Sequence, residues 1–546
     1  MSMSINITPD EIRDLAGARE AIRQLLNLVE TLSEGNRELR EENQKLRDEN
    51  ARLKGEQGKP EIKGNKKERA DHSSERERKR EAGSGKEREP HSKNAEIKVD
   101  RTEEVQVDRS QMPGDAEFKG HETVVVQDIV MKTDHVRFLK EKYYSASAGK
   151  TYLAVLPAGY EGQFGPGVRS WVITLYYAGG MSEPKIRELL KQAGVSISVG
   201  QVSNLLTHNT QAWEAEARTM LHTGLQSTTW QPIDDTPTRV DGVNHFCHIL
   251  TNPYYSWYAT RPHKNRLTVI SVLADTDEPE YLLNTDTAAW LEKFGVPNWA
   301  RLQLAKWPQD KRMGDEEMRG YLNQDLATRL NDQQQLRILE AAALTAYYGQ
   351  TRVPIIPILL SDDAGQFRYL TRWHSLCWVH EGRHYKKLLP CLPYHQQLLE
   401  TFRGQFWAYY HQLQHYRLAP SPAKAKRLRT EFVKLFSTHT GYDALDKCIA
   451  ATLGKQTQLL TVLAHPEIPL HNNPAELAAR QRVRKRDVSF GPRSPAGRKA
   501  WDTFMSLAET TKKLGVSFYA FVHDRISKLG LIPPLADIIR AQAAPA

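Results

Sequence analysis

VPIIPILLSDD, residues 353–363, runs an almost unbroken apolar stretch straight into two acids, Asp362 and Asp363. A short run of this kind fits a strand buried on both faces, and it is far too short to cross a bilayer. Such a strand needs neighbours. Upstream, from about Thr228, the segments GVNHFCHILTN, YSWYAT and RLTVISVLA read as successive strands with polar turns between them. IDDTP, carrying Asp234 and Asp235, follows a strand of its own. TDTAAWLEKFG reads as a helix and residues 310–349 as a largely helical insertion, and helices dominate from there to the C-terminus. The pattern predicts a mixed α/β core over 226–486 and a helical region over 487–546.

The N-terminal part is built differently. Leu25, Leu32, Leu39, Leu46 and Leu53 recur every seven residues, with Ile22, Val29, Asn36, Asn43 and Asn50 at the matching a positions. Asparagine at a costs stability but pairs with its counterpart, which selects a parallel two-stranded coil. Glu42 faces Arg47 of a second copy in that register, and Glu49 faces Lys54. Residues 1–54 are therefore expected to dimerise. Residues 55–94 are almost wholly polar and charged, so they cannot bury enough surface to offset ordering and should form a disordered linker. Residues 95–160 look β-rich, with ETVVVQDIVM, HVRFL and KTYLAVLP as candidate strands. Within 161–225, SEPKIRELLKQA, a break at Gly194, and a helix capped by Ser198 and Gln201 follow the helix-turn-helix plan. Ser198, Gln201, Ser203 and Asn204 would then meet a major groove.

Lys and Arg total 75 against 66 acids, a formal charge of +9, which tilts the chain towards an anionic partner. Four scattered cysteines argue against a disulfide framework or a cysteine-rich zinc site and fit a reducing compartment. Neither a signal-peptide core nor a membrane-length apolar run occurs, so a cytosolic location is expected.

Three acidic spots could carry chemistry: Asp234 or Asp235, Asp362 or Asp363, and Glu476 in HNNPAEL at a helix start. Carboxylates converging from two strands and a helix can hold two Mg²⁺ or Mn²⁺ ions roughly 3.5–4 Å apart. The plain alternative is structural. Asp-Asp-Thr-Pro and Asp-Asp-Ala-Gly suit turns, while Asn473, Pro474 and Glu476 would make N-cap, N1 and N3 of a capping box. Beyond Glu476, Arg480, Arg482, Arg484, Lys485 and Arg486 form a basic run suited to phosphate contact.

IDDTP, SDDAGQF with the following LCWVHEGRHYKKL, and IPLHNNPAELAARQRVRKRDVSFGPRSPAGRKAW together resemble three blocks of the IS-sixty-six family of insertion-sequence transposases. The similarity runs in order over nearly the whole chain and is most specific in the last block. It implies a DDE-type DNA transposase with a ribonuclease-H-like α/β catalytic core carrying helical insertions, preceded by the coiled coil, β-rich module and helix-turn-helix. Asp234, Asp362 and Glu476 fall on the family's metal-binding acids, with Asp235 and Asp363 as register alternatives. The implied cofactor is Mg²⁺ or Mn²⁺, two ions. The implied partners are terminal inverted repeats, target DNA and a second or further copy of the chain, with accessory transposition proteins left open, in a bacterial cytoplasm. Two departures stand out. His471 replaces an Asp of the family pattern, and the β-rich module lacks the family's paired cysteines, so no zinc is expected. These departures keep a catalytically silent, transposase-derived DNA-binding protein as the alternative.

Overall fold

The computed structural model describes residues 12, 14–53, 99–108, 116, 118–129 and 132–544. The predicted linker lies outside the described residues. The heptad segment forms one helix, α1 (Leu15–Leu53), whose seam residues Leu25, Leu32, Leu39 and Leu46 are exposed.

Of the strands expected over 95–160, the described residues form only part. Among the described residues that region contains only a hairpin, β1 (Lys142–Ser145) with β2 (Lys150–Leu153). Residues 122–129 form no strand, and Val124, Val126 and Ile129 stand in solvent. A β-branched run makes a strand only when another strand offers it a ladder and a face to cover, and among the described residues none pairs with it.

Helices α2 (Pro166–Tyr177), α3 (Glu183–Gln192), α4 (Val199–Thr207) and α5 (Gln211–Gln226) follow. Gly194, at φ +88°, turns the chain between α3 and α4. The Ser198–Gln201 capping box opens α4 as the sequence predicts.

Next come β3 (Trp230–Val240), β4 (Val243–Thr251) and β5 (Ser256–Arg261), then α6 (Arg266–Leu273). Asp241 and Gly242, both at positive φ, make the two-residue turn of the β3–β4 hairpin. IDDTP therefore lies inside a long strand rather than after one. RLTVISVLA, expected as a strand, is α6. Asn265 caps it by accepting the Thr268 N–H, and it is buried on nearly all sides, which erases the helical period that would have announced it.

The insertion comprises β6 (Tyr281–Leu282), α7 (Thr285–Lys293), α8 (Asn298–Leu304), β7 (Arg312–Met313), α9 (Asp315–Asp325) and α10 (Asp332–Tyr348). The chain then returns through β8 (Ile358–Ser361) and β9 (Trp373–Leu376) to α11 (Trp378–Lys386). It continues through α12 (Pro393–Leu418), α13 (Pro422–Phe436), α14 (Asp443–Leu453) and α15 (Gln456–Leu459). The last helices are α16 (Asn473–Ser489), α17 (Pro495–Lys513), α18 (Phe518–Ser527) and α19 (Leu535–Ala543).

Among the described residues the largest sheet has five strands in the order β5-β4-β3-β8-β9, antiparallel from β5 to β3 and parallel from β3 to β9. The chain is thus a mixed α/β core around a mixed sheet. One apolar cluster joins the sheet to α2–α5 and α17–α19, and a second, rich in aromatics, fills α11–α15 around Trp378, Phe402, Phe406 and Phe432. The edge of β5 is closed by side chains of α17. Thr510 Oγ1, Ser506 Oγ and Asp502 Oδ2 accept the N–H groups of Ser256, Tyr258 and Thr260. Spacing of four along the helix matches spacing of two along the strand, so a sheet edge that would otherwise invite another strand is satisfied.

Candidate active site

Sheet register brings the first two acids together. β3 and β8 pair in parallel from Trp230↔Ile358 to Pro232↔Leu360. Two residues further along each chain stand Asp234 and Asp362, on the same side of the sheet by strand alternation. Asp362 sits just past the end of β8, where its Oδ1 accepts the Ala364 N–H at 3.1 Å and fixes the turn.

Glu476 reaches the same place through Asn472. The Asn472 side-chain amide donates to the Ile233 carbonyl at 2.8 Å, one residue before Asp234, and the Asn472 carbonyl accepts the Glu476 N–H at 3.1 Å. Cys377 closes the circuit. Its N–H bonds the Ser361 carbonyl at 2.9 Å, one residue before Asp362, and its Sγ accepts the Asn472 N–H at 3.2 Å. The helix start differs in detail from expectation: Asn472, not Asn473, is the N-cap, and no side-chain cap bond forms. Asn472 is occupied in tying the helix to β3, so the predicted capping-box role of Glu476 is not realised.

Glu476 instead accepts two bonds from Arg383 Nη2, at 3.0 and 3.2 Å, and His380 Nδ1 lies 3.6 Å away. Arg383 Nη1 donates to His380 Nε2 at 2.8 Å, which leaves the imidazole proton on the Nδ1 side facing the carboxylate. Burial and the neighbouring guanidinium hold His380 below the usual histidine range. Burial pushes Asp234 up to about 7, and the negative fields of Asp362, Asp235 and Glu476 add to it. Burial raises Asp362 as well. Half-buried carboxylates that repel one another are a poor resting arrangement but a ready-made donor set for a hard divalent cation, whose charge reverses the penalty. Oxygen-only ligation fits Mg²⁺ or Mn²⁺.

The two register alternatives are otherwise engaged. Asp235 Oδ2 accepts from Gln366 Nε2 at 2.9 Å. Asp363 takes Lys455 Nζ at 2.6 Å and His384 at 3.3 Å, and the hydrogen bonds from His384 and Lys455 hold it well below the ordinary carboxylate range. With Glu381 and His384, Asp363 forms a group whose ligand atoms lie within 4.8 Å of one another. A metal is not required there, because Lys455 bridges Asp363 and the buried Glu381, at 2.9 Å from the latter, and already supplies the positive charge. A lone lysine between two helices carries no signal in the sequence.

Residues 351–500 match the protein family described as "Transposase IS66 family". Over 325 residues the chain is 32% identical to the uncharacterized protein y4jO of Sinorhizobium fredii (strain NBRC 101917 / NGR234), covering 59% of this chain and 100% of that one. The chain belongs to the IS66 transposase family. In this family member the matched segment contains Asp362 and Glu476, while Asp234 lies upstream of it and is brought in by sheet register.

The basic run beyond Glu476 divides. Arg480 and Arg484 are exposed and Arg486 is half-buried. The expectation that Arg482 and Lys485 contact DNA is corrected. Arg482 is fully buried over the Trp501 ring and bonds Thr260 Oγ1 at 2.8 Å. Lys485 lies 3.2 Å from the Tyr176 ring centroid and donates to the Met181 carbonyl at 3.0 Å. Both tie α16 to its neighbours. Their helical phase turns them inward, a fact invisible in a run where every second residue is basic. On α4, Asn204 is exposed, Ser203 and Gln201 are half-buried, and Ser198 is spent on its cap. No helix among the described residues is long and apolar enough to cross a membrane.

Proposed function

We propose that this chain is a DDE-type DNA transposase whose Asp234, Asp362 and Glu476 hold two Mg²⁺ or Mn²⁺ ions. The reading rests on one observation above others: a continuous hydrogen-bonded circuit through Asn472 and Cys377 ties β3, the end of β8 and the start of α16 together at the residues next to these acids. Support for a ribonuclease-H-like core comes from three antiparallel strands continued by two parallel ones, with the acids on the central pair and a late helix.

When bound, the ions supply charge neutralisation and activation of a water or 3′-hydroxyl for in-line attack on phosphorus. The protein's own contribution is placement. Arg383 and His380 orient the Glu476 carboxylate. Arg480 and Arg484, exposed further along the same helix, contact phosphates of the bound DNA. Helices α3 and α4 recognise the terminal repeats in helix-turn-helix fashion, and the α1 seam pairs two copies. Strand cleavage would come first, followed by attack of the freed 3′-hydroxyl on target DNA.

Purified protein given a terminal-repeat duplex and Mg²⁺ should nick it and join it to target, and Glu476→Gln should do neither. Joining by Glu476→Gln would sink the proposal. A second reading, a silent DNA-binding derivative, is favoured by the Arg383 guanidinium already seated on Glu476 and by His471. It predicts repeat binding without nicking by the wild-type chain.

A further inference from the structure

The heptad helix has two faces with different fates. The leucine seam is open to solvent, with Leu32 61% exposed. The opposite, polar face is seated on the protein's own helical region, where Glu30 is only 4% exposed. A buried glutamate on a helix otherwise in solvent is costly unless its oxygens are satisfied. Here they are. Glu30 accepts the backbone N–H of Cys391, the N–H of Leu392 at 3.0 Å, and faces His395 Nδ1 at 3.1 Å. His395 is itself buried and stacked on Tyr442, with ring centroids 4.3 Å apart. One turn earlier Asn27 makes a matched pair of bonds, donating to the Gly441 carbonyl at 2.9 Å and accepting the Asp443 N–H at 3.1 Å. Gly441 is at φ +86°, and a Cβ there would press on Arg23. Two turns after Glu30, Arg37 donates to the Leu389 carbonyl at 3.0 Å.

We infer that the polar face of α1 is an intramolecular latch, centred on Glu30, that fixes the zipper to the turn following α11 and so couples pairing of two copies to the helix that carries His380 and Arg383. The Cys391 and Leu392 N–H groups stand just before α12, at its positive end, and Glu30 accepts both there. A second copy is the occupant of the seam. The seam offers aligned Asn36, Asn43 and Asn50 for registered pairing and the Glu42–Arg47 complement across it. With the seam turned outward and its back bolted down, two catalytic sites ride at a set geometry on one coiled coil. This inference rests on the dimer reading above for its occupant, but the latch itself does not.

The test uses the full chain in four forms: wild type, Glu30→Ala, Asn27→Ala, and Leu32→Lys with Leu39→Lys. Light scattering should give dimer mass for the first three and monomer mass for the seam variant. Hydrogen exchange at the Cys391 and Leu392 amides should accelerate by about tenfold or more in Glu30→Ala. Those amides should stay protected in the seam variant, and Asn27→Ala should loosen the Asp443 amide instead. Unchanged exchange in both latch variants overturns the latch. A seam variant that still has dimer mass overturns the second copy as occupant while leaving the latch standing.

Discussion

Asn472 donates its side-chain amide to the carbonyl of Ile233 across 239 positions of sequence, at 2.8 Å and in full burial. That bond locks the start of α16 onto the centre of β3 one residue before Asp234, and it sets where Glu476 can be.

Asn472→Ala should therefore damage activity more than folding. Loss of a buried hydrogen bond costs about 1–3 kcal/mol, which a core of this size tolerates. Urea unfolding should show a native-like transition of that lower stability, while Mg²⁺-dependent nicking of a repeat duplex falls by about a hundredfold or more. Wild-type nicking by the alanine variant would remove Asn472 from the positioning role.

Asp362→Asn and Asp363→Asn should separate cleanly. The first should abolish nicking. The second should retain it and lose stability instead, by about 1–3 kcal/mol, because Lys455 loses one of its two carboxylate partners in a half-buried site. Urea midpoints and nicking rates measured on both variants decide the register.

The basic helix predicts opposite signatures for neighbouring arginines. Arg480→Ala and Arg484→Ala should leave the melting temperature unchanged and weaken DNA binding, each reducing the salt slope of log K by about 1. Arg482→Ala should lower stability by about 3 kcal/mol, since it leaves a cavity over Trp501 and strips Asp502 of its ion pair at 3.4 Å. A salt titration of repeat binding beside thermal melts checks both.

The latch has a pH dependence of known sign. Burial by itself would raise Glu30, but the N–H groups of Cys391 and Leu392 and the His395 ring outweigh it and hold the carboxyl below its ordinary 4.5. A depressed acid contributes stability that is present above the unfolded value and is lost as pH falls through the folded one. Exchange protection at Cys391 and Leu392 should thus be full at neutral pH, begin to weaken below about pH 4.5 and be lost as pH falls through the lower folded-state value in the wild type. Protection that does not weaken at all as pH is lowered, down to acid unfolding of the chain, would speak against an ionised Glu30.

Several features were legible from local chemistry. The heptads of α1, the Ser198–Gln201 box, the buried strand ending at Ser361 and Glu476 in the first turn of a helix all follow from spacing and from residues within a few positions of one another. Two segments misled because their signal depends on distant surroundings. RLTVISVLA is buried on nearly all sides, so neither period shows, and residues 122–129 are β-prone but pair with no strand among the described residues.

By itself, then, the sequence determined which residue types stand at strand ends and helix starts, and the family to which their order belongs. Only the tertiary structure decided that Asp235 and Asp363 are engaged by Gln366 and Lys455, which arginines turn inward, and which side of α1 is bound and which open. Local propensity reads a few neighbours along the chain. Carboxylate crowding, the Lys455 bridge and the Glu30 latch join residues from 74 to 365 positions apart, and their energies exist only once the sheet and helices have brought them within bonding distance.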